Sequence, residues 1–310
     1  MRSQPPALSV VVPCLGHAAE LAACLEALEN QKGDVAFEVI VVDSAFDARV
    51  EAVVQRHPEA RLYRSRALLS TGAARNAGVR LASAPALGFI DADCLPHTGW
   101  VQGAMAALAA GAVLASGAIL DASPWQWVAS SDNRLQFADF APGRPAGPLE
   151  YCAGAHFVVT REAFDSQAGF REDHVLVEDV LFTAGIAALR PKQVRFSREM
   201  VVQHRGRARW KDFLEHQRSF GYARSRHSIR MGPSFVWLSS RPALSWLVVL
   251  RRLSYVGARV LQWNTLDLPR FVLQLPLLVA GLVAWTQGFY AGAKRHGQDR
   301  AVTPVARDSN

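Results

Sequence analysis

The chain has 310 residues, half of them hydrophobic, a mean hydropathy just above zero and a formal net charge of +7. This allows one large α/β domain with a smaller appendage; the hydropathy is high for a purely soluble enzyme and too low for a polytopic membrane protein. The positive charge points to an anionic partner, and Cys14, Cys24, Cys94 and Cys152 lack zinc-type spacing and read as reduced, packed thiols of a cytosolic compartment.

Leu8–Val12 is a β-branched run closed by Pro13, a buried strand too short for the core of a signal peptide. Leu21, Leu25 and Leu28 mark a helix, and Phe37–Val42 is a second strand ending at Asp43. A helix through Val50, Val53 and Val54 follows, then a short strand over 60–63, an Ala-rich helix over 72–81 and a strand over 86–90. This alternation predicts an α/β fold with a doubly wound, mainly parallel sheet, whose ligand crevice lies beyond the carboxyl ends of the strands. Pro13, Asp43 and Asp91 all fall at such ends.

Residues 121–149, rich in Pro, Gly, Asp and aromatics, read as a long irregular segment of the kind that forms lids and binding loops. A strand pattern resumes over 152–160, a helix opens at Arg161, and residues 178–189 form another helix closed by Pro191. A basic run follows, including Arg205, Arg209, Arg226 and Arg230; it lacks the interleaved aromatics of a nucleic-acid binder. Arg241, Arg252 and Arg259 share one side of a helical projection, with Leu247, Val248, Tyr255 and Trp263 expected away from that stripe. This describes an amphipathic helix in a membrane interface, with Trp246 and Trp263 at headgroup depth. Residues 271–290 are then apolar for long enough to cross a bilayer, although Gln274, Pro276 and Gln287 equally suit an interfacial hairpin. Lys294-Arg295-His296 would hold that end on the cytoplasmic face of the plasma membrane. The expected organisation is a catalytic domain over 1–230, a membrane-associating helical segment over 231–296 and a disordered tail over 297–310.

Asp91-Ala92-Asp93 ends the strand at 86–90, so its two carboxylates can face one hard divalent cation. Such a triplet arises by chance roughly once in a chain of this size, and its neighbours decide its meaning. Those neighbours are Leu8 to Leu21, Glu38 to Asp47, Gly72-Ala-Ala-Arg75-Asn-Ala-Gly78, Gly88 to Pro96, Gly154-Ala155-His156, Arg161 to Phe164, Gly169-Phe170 and Glu178-Asp179. In this order and spacing the chain resembles a family 2 glycosyltransferase of the GT-A fold.

The resemblance implies a nucleoside-diphosphate sugar donor bound by Pro13, Asp43, Arg75 and Asp91, with Arg75 facing base or phosphate. It implies Mg²⁺ or Mn²⁺ on Asp93 and Asp91, with His204 as a further ligand, and an acceptor subsite at Gly154 and His156. Asp179 would be the catalytic base of an inverting transfer to a hydroxyl acceptor, and Glu178 would orient it or bind acceptor. The basic run and apolar tail make a lipid-linked or cell-envelope acceptor and an anionic membrane surface the expected partners. Gln203 and Arg209-Trp210 do not reproduce the Q-x-x-R-W spacing of processive relatives, so transfer of one sugar is implied. Ser44, His156 and Cys14-Leu15-Gly16-His17 depart from the family pattern and bear on specificity. A catalytically silent membrane-surface protein and a sugar nucleotidyltransferase are the alternative readings. The retained carboxylates weigh against the first, and the absence of a Gly-rich basic N-terminal loop against the second.

Overall fold

The computed structural model describes residues 5–173, 176–225, 237–238 and 241–302, with side chains through residue 295. Arg226, Arg230, the His296 side chain and the terminal residues 303–310 lie outside the described residues. The chain divides into two compact units, Met1–Ala122 with Asp139–Arg205, and Ser123–Ala138 with Gly206–Asn310.

In the first unit β1 (Leu8–Cys14), α1 (Ala18–Glu29), β2 (Phe37–Asp43), α2 (Ala48–Val54), β3 (Ala60–Arg64), α3 (Thr71–Leu81) and β4 (Ala86–Ile90) alternate as expected. β1 lies parallel to β2 and β4, and β2 parallel to β3. The runs that build β1 and β4 are buried almost throughout, as befits strands covered on both faces. After the short β5 (Cys94–Pro96), α4 (Trp100–Ala109) leads to β6 (Leu114–Asp121). The chain then leaves this unit for α5 (Trp127–Phe137) and returns through β7 (Gly147–Pro148), β8 (His156–Thr160), α6 (Arg161–Asp165), α7 (Glu178–Leu189) and β9 (Val194–His204).

The nine-stranded sheet has the order β3-β2-β1-β4-β8-β6-β9-β5, with β7 paired to β9. β8 runs antiparallel to β4 and β6, and β5 and β7 run antiparallel to β9, so the sheet is mixed beyond its parallel N-terminal half. Phe89, Phe157, Phe164, Phe170 and Phe182 pack with ring centroids 4.4 to 6.3 Å apart, tying β4 and β8 to α6 and α7. All four cysteines are buried and unbridged.

The second unit contains α5, α8 (Trp210–Ser225), α9 (Ser245–Trp263) and α10 (Leu268–Val302). Its core joins Leu135, Phe213, Val256, Val260, Phe271, Leu278 and Leu282, beside a smaller cluster of Leu238, Val248, Trp285 and Phe289. Gly221 and Gly288 let α8 and α10 touch backbone to backbone. A Cβ on Gly221 would run into the Trp285 carbonyl, and one on Gly288 into that of Arg218.

Three sequence expectations are corrected here. The segment over 121–149 is not irregular throughout, because α5 occupies its middle. Its Ser130, Ser131, Asp132 and Asn133 are buried, so composition suggested a solvated loop where the polar groups are interior. Asp132 is fully buried and accepts from Gln217 (2.8 Å) and Arg207 (3.3 Å), with the His216 ring 3.2 Å away. The arginine stripe does not exclude the aromatics, since Arg259 lies over both Tyr255 (4.7 Å) and Trp263 (4.6 Å), one helical turn to either side. Arg241 precedes α9, separated from it by a 3₁₀ turn at Pro242–Leu244. Finally, α10 continues past residue 297 into the stretch expected to be disordered.

Candidate active site

The site is built around Arg75. Ser70 caps α3, accepting from the Ala73 N–H (3.2 Å), and the small buried residues Ala73, Ala74 and Ala77 bring the helix close to β1 and β2. The arginine between them therefore enters the interior and is only 1% exposed. Its Nη1 donates to Glu178 Oε1 (2.8 Å), and its Nη2 to Asp91 Oδ1 (2.7 Å) and the Gly154 carbonyl (3.2 Å). Phe170 lies under the guanidinium, 5.5 Å to the ring centroid. Arg75 thus does not face base or phosphate, as the resemblance implied; it is spent inside the protein, bracing the end of β4 against the start of α7.

Burial works against the Arg75 charge, but Asp91, Glu178 and Asp179 outweigh it and raise its pKa. The carboxylate pKa values rise as well, which for an acid means that the charged form is disfavoured. Burial lifts Glu178 above the usual range, Arg75 offsets part of that, and Asp179 adds to it; Asp91 is raised in the same way, with Asp93 and Asp179 adding to burial. One guanidinium shared between Asp91 and Glu178 does not fully offset the burial of both.

The two acidic residues at the start of α7 have different surroundings. Glu178 is buried, held by Arg75 and by the Val177 N–H, which donates to its Oε2 (3.1 Å). Its carboxylate is turned to the interior, which suits the expected role of orienting Asp179. Asp179 is half-buried, and its Oδ2 accepts the Gly154 N–H at 2.5 Å. Leu176 (φ 62°) and Val177 (φ 130°) hold the turn before the helix in conformations unfavourable to side chains of their size. Strain of this kind, of order 1–3 kcal/mol per residue, persists where the surroundings over-determine the backbone. The Arg75–Glu178 pair supplies that constraint. Gly154 must be glycine for a steric reason, because a Cβ there would stand 2.7 Å from Arg75 Nη2 and 2.8 Å from Asp179 Oδ2.

Beside this group lie Asp93, Cys94 and His204, whose ligating atoms fall within 4.8 Å of one another. β5 pairs antiparallel with β9, setting Cys94 opposite His204 and bringing His204 Nε2 to 3.5 Å from Asp93 Oδ2. The Asp93 carboxylate suits a hard cation such as Mg²⁺ or Mn²⁺ completed by water and donor oxygens, and of those two the His204 imidazole suits Mn²⁺ better. The Cys94 thiol is pushed far up by burial and then by Asp93 and Asp91. Its place there was not anticipated; the antiparallel return of β9 creates it, and local spacing carries no sign of it.

Other expected residues fall elsewhere. Pro13 sits half-buried on β1 opposite Val42. Asp43 is fully buried, its two oxygens accepting from the Ala45 (3.0 Å) and Asp47 (2.8 Å) N–H groups, with Arg64 Nε at 3.5 Å. Its carboxylate shapes the loop after β2 instead of opening to solvent. Arg64 also covers the exposed Phe46 ring at 3.9 Å, a cation–aromatic pair at the same strand end that hydrophobic patterning gave no reason to notice.

His156 is corrected as an acceptor residue. It is fully buried on β8, its Nδ1 accepting from Trp100 Nε1 (2.9 Å) while its own carbonyl accepts from Ser116 (2.8 Å). Strand alternation explains this, since its neighbour Phe157 joins the phenylalanine cluster and His156 points to the other face, toward α4. Burial pushes its imidazole down to about 3, opposed only in part by the backbone at Gly117 and Ala118.

The sequence profile of Glycosyl transferase family 2 matches residues 9–166. Glycosyltransferase AglE of Haloferax volcanii is 30% identical over 109 residues, 33% of this chain and 35% of that protein. Hyaluronan synthase of Pasteurella multocida is 32% identical over 105 residues, 33% of this chain and 11% of that protein. The matches therefore span well under two thirds of both relatives. Among solved structures, mannosyltransferase PcManGT from Pyrobaculum calidifontis, in complex with GDP-Man and Mn²⁺, superposes with a TM-score of 0.63 at 18% identity, covering 93% of this chain and 88% of that one. S. aureus TarS 1–349 in complex with UDP-GlcNAc gives 0.55 at 13% identity, covering 94% and 92%. At these identities the superpositions establish the GT-A fold.

Proposed function

The chain belongs to glycosyl transferase family 2 and is a glycosyltransferase; from that premise we propose that it moves one sugar, with inversion, from a nucleoside-diphosphate donor to a hydroxyl acceptor. Asp179 is the base. Its carboxylate takes the acceptor hydroxyl proton as that oxygen attacks the anomeric carbon from the side opposite the diphosphate. The Gly154 N–H holds Asp179 Oδ2 so that its other oxygen can point outward, and Glu178 anchors the same helical turn through Arg75. Asp91 shares that arginine, which registers the donor side of the site against the base.

Asp93 and His204 would hold Mg²⁺ or Mn²⁺, which supplies positive charge to the departing diphosphate. The GDP-Man and UDP-GlcNAc bound to the structural relatives support a sugar nucleotide as donor. The chemistry is assigned to the first unit. The second unit, whose helical stretch Thr265–Arg295 is long and apolar enough to cross a membrane by length and composition, is assigned to an anionic membrane surface on the cytoplasmic side, where a lipid-linked acceptor would be met.

The observation that carries this reading is the arrangement of Asp179 on the Gly154 N–H, one arginine away from Asp91. The test is a screen of UDP-, GDP- and dTDP-sugars for Mn²⁺-dependent donor hydrolysis and transfer by the detergent-solubilised chain, with Asp179→Asn in parallel. A base of this kind contributes about 10²–10⁴-fold. The variant should lose transfer by that factor while binding donor nearly unchanged. Undiminished transfer in Asp179→Asn would overturn the assignment.

A further inference from the structure

We propose that the second unit is a monotopic anchor: α10 lies in the plane of an anionic bilayer instead of crossing it. This rests on the membrane association proposed above and states its geometry. The length of α10 alone permits a span, but the partners of its two glutamines do not. Near one end, the buried Gln274 accepts from Arg134 Nε (2.8 Å) and donates to Ser130 Oγ (2.9 Å), and Arg134 is also paired with Asp267. Toward the other end, Gln287 accepts from Arg218 Nη2 (3.2 Å), while Gly288 fits against the Arg218 carbonyl. The thirteen residue steps from Gln274 to Gln287 rise about 20 Å along a helix, against about 30 Å of hydrocarbon. Centring α10 across a bilayer would therefore carry Arg134 with Asp267, or Arg218, into the hydrocarbon. Lys211 and Glu215, exposed on α8 where it follows α10, would approach it too. Charges placed there without a water-filled path are costly.

An in-plane orientation avoids that cost. The exposed face of α10, about 120° wide at 100° per residue, presents Val272, Leu273, Val279 and Val283, and α9 presents Trp246, Leu250 and Leu261. Leu273 is 67% exposed and Trp246 55%, which suits side chains entering the boundary between headgroups and acyl chains. Charge selects the occupant. Arg241, Arg251, Lys294 and Arg295 are exposed around these helices. The one carboxylate in the sequence from Ser245 to Arg295 is Asp267, which Arg134 neutralises. Anionic phospholipid complements that field, whereas a second copy would bring the same positive charge against it.

The full chain is floated with vesicles of phosphatidylcholine containing 30% phosphatidylglycerol (about the anionic fraction at which a basic surface engages) and with phosphatidylcholine alone. Membranes from expressing cells are washed with alkaline carbonate. The expected result is flotation that needs phosphatidylglycerol, weakens in high salt, and falls about tenfold or more in Leu273→Glu/Val279→Glu, with release by carbonate. Circular dichroism and donor hydrolysis should be unchanged in that variant, since both positions are exposed on the second unit. As a second variant, Arg251→Glu/Lys294→Glu should remove the phosphatidylglycerol preference without altering the apolar rows. Flotation that ignores both variants and resists carbonate would overturn the in-plane geometry while leaving membrane association standing. Failure to float with either vesicle would overturn the association itself, and dimerisation by the wild type alone would give the rows to a second copy.

Discussion

Removing Arg75 tests the centre of the site. Arg75→Met leaves Glu178 in the interior without its cation and frees one oxygen of Asp91. The two losses differ in size. The Arg75 and Glu178 side chains are 2% and 5% exposed, and at an effective dielectric of 20 unit charges 4 Å apart attract by about 4 kcal/mol. The Asp91 side chain is 32% exposed, so water screens its share to about 1 kcal/mol. The variant should lose about 3–5 kcal/mol of stability, the usual cost of stripping one partner from a buried pair. Double-mutant cycles with Glu178→Gln and Asp91→Asn, read by urea unfolding of the first unit with the buried Trp100 as reporter, separate the two terms. The Glu178 coupling should exceed the Asp91 coupling by at least about 1.5 kcal/mol. Equal couplings, or a total loss below about 1 kcal/mol, would refute the view that Arg75 chiefly secures the base helix.

Gly154→Ala should lower the transfer rate about 10²-fold by displacing Asp179, with donor binding little changed; steady-state kinetics at saturating donor measures it, and an unchanged rate would discount the steric reasoning. EDTA should abolish transfer, and Asp93→Ala should raise the Mn²⁺ concentration needed for half-maximal rate at least about tenfold, as loss of a metal ligand requires; metal-independent activity would remove the cation from the scheme. His156 is neutral when folded, with a pKa near 3 against 6.5 when exposed, so the unfolded chain binds the extra proton between those values. Its contribution is complete above about pH 6.5 and is lost as pH falls toward 3, amounting to about 2 kcal/mol by pH 5. His156→Gln should flatten that part of the stability–pH curve between pH 7 and 5, and an unaltered curve would show that the imidazole is already solvated.

The parallel half of the fold was legible because β1, β2 and β4 are built on short apolar runs, Val10–Val12, Val39–Val42 and Ala86–Ile90, each followed by Pro13, Asp43 or Asp91. Asp91, Asp93 and Asp179 were singled out only through the family resemblance, since an acidic triplet arises by chance and acidic residues at a helix start ordinarily complement the helix dipole. What escaped was direction. Nothing local distinguishes an Arg75 aimed at solvent from one enclosed by β4 and α7, since the residues that enclose it lie up to 103 positions away. His156 was misjudged for the same reason, its face being decided by its pairing with Ile90. α5 was hidden by composition, because buried polar residues resemble a loop until their distant partners are known.

The arginine shared by Asp91 and Glu178 also bears on how such an enzyme can diverge. Substitutions at either carboxylate would be felt at the other, so their effects should be epistatic and most single steps there deleterious. Heritable changes in sugar preference would then accumulate in positions outside that linkage. The exposed Leu15 and His17 after β1 and the exposed Phe46 lie outside that linkage, so substitutions there would leave the acid–base geometry unchanged.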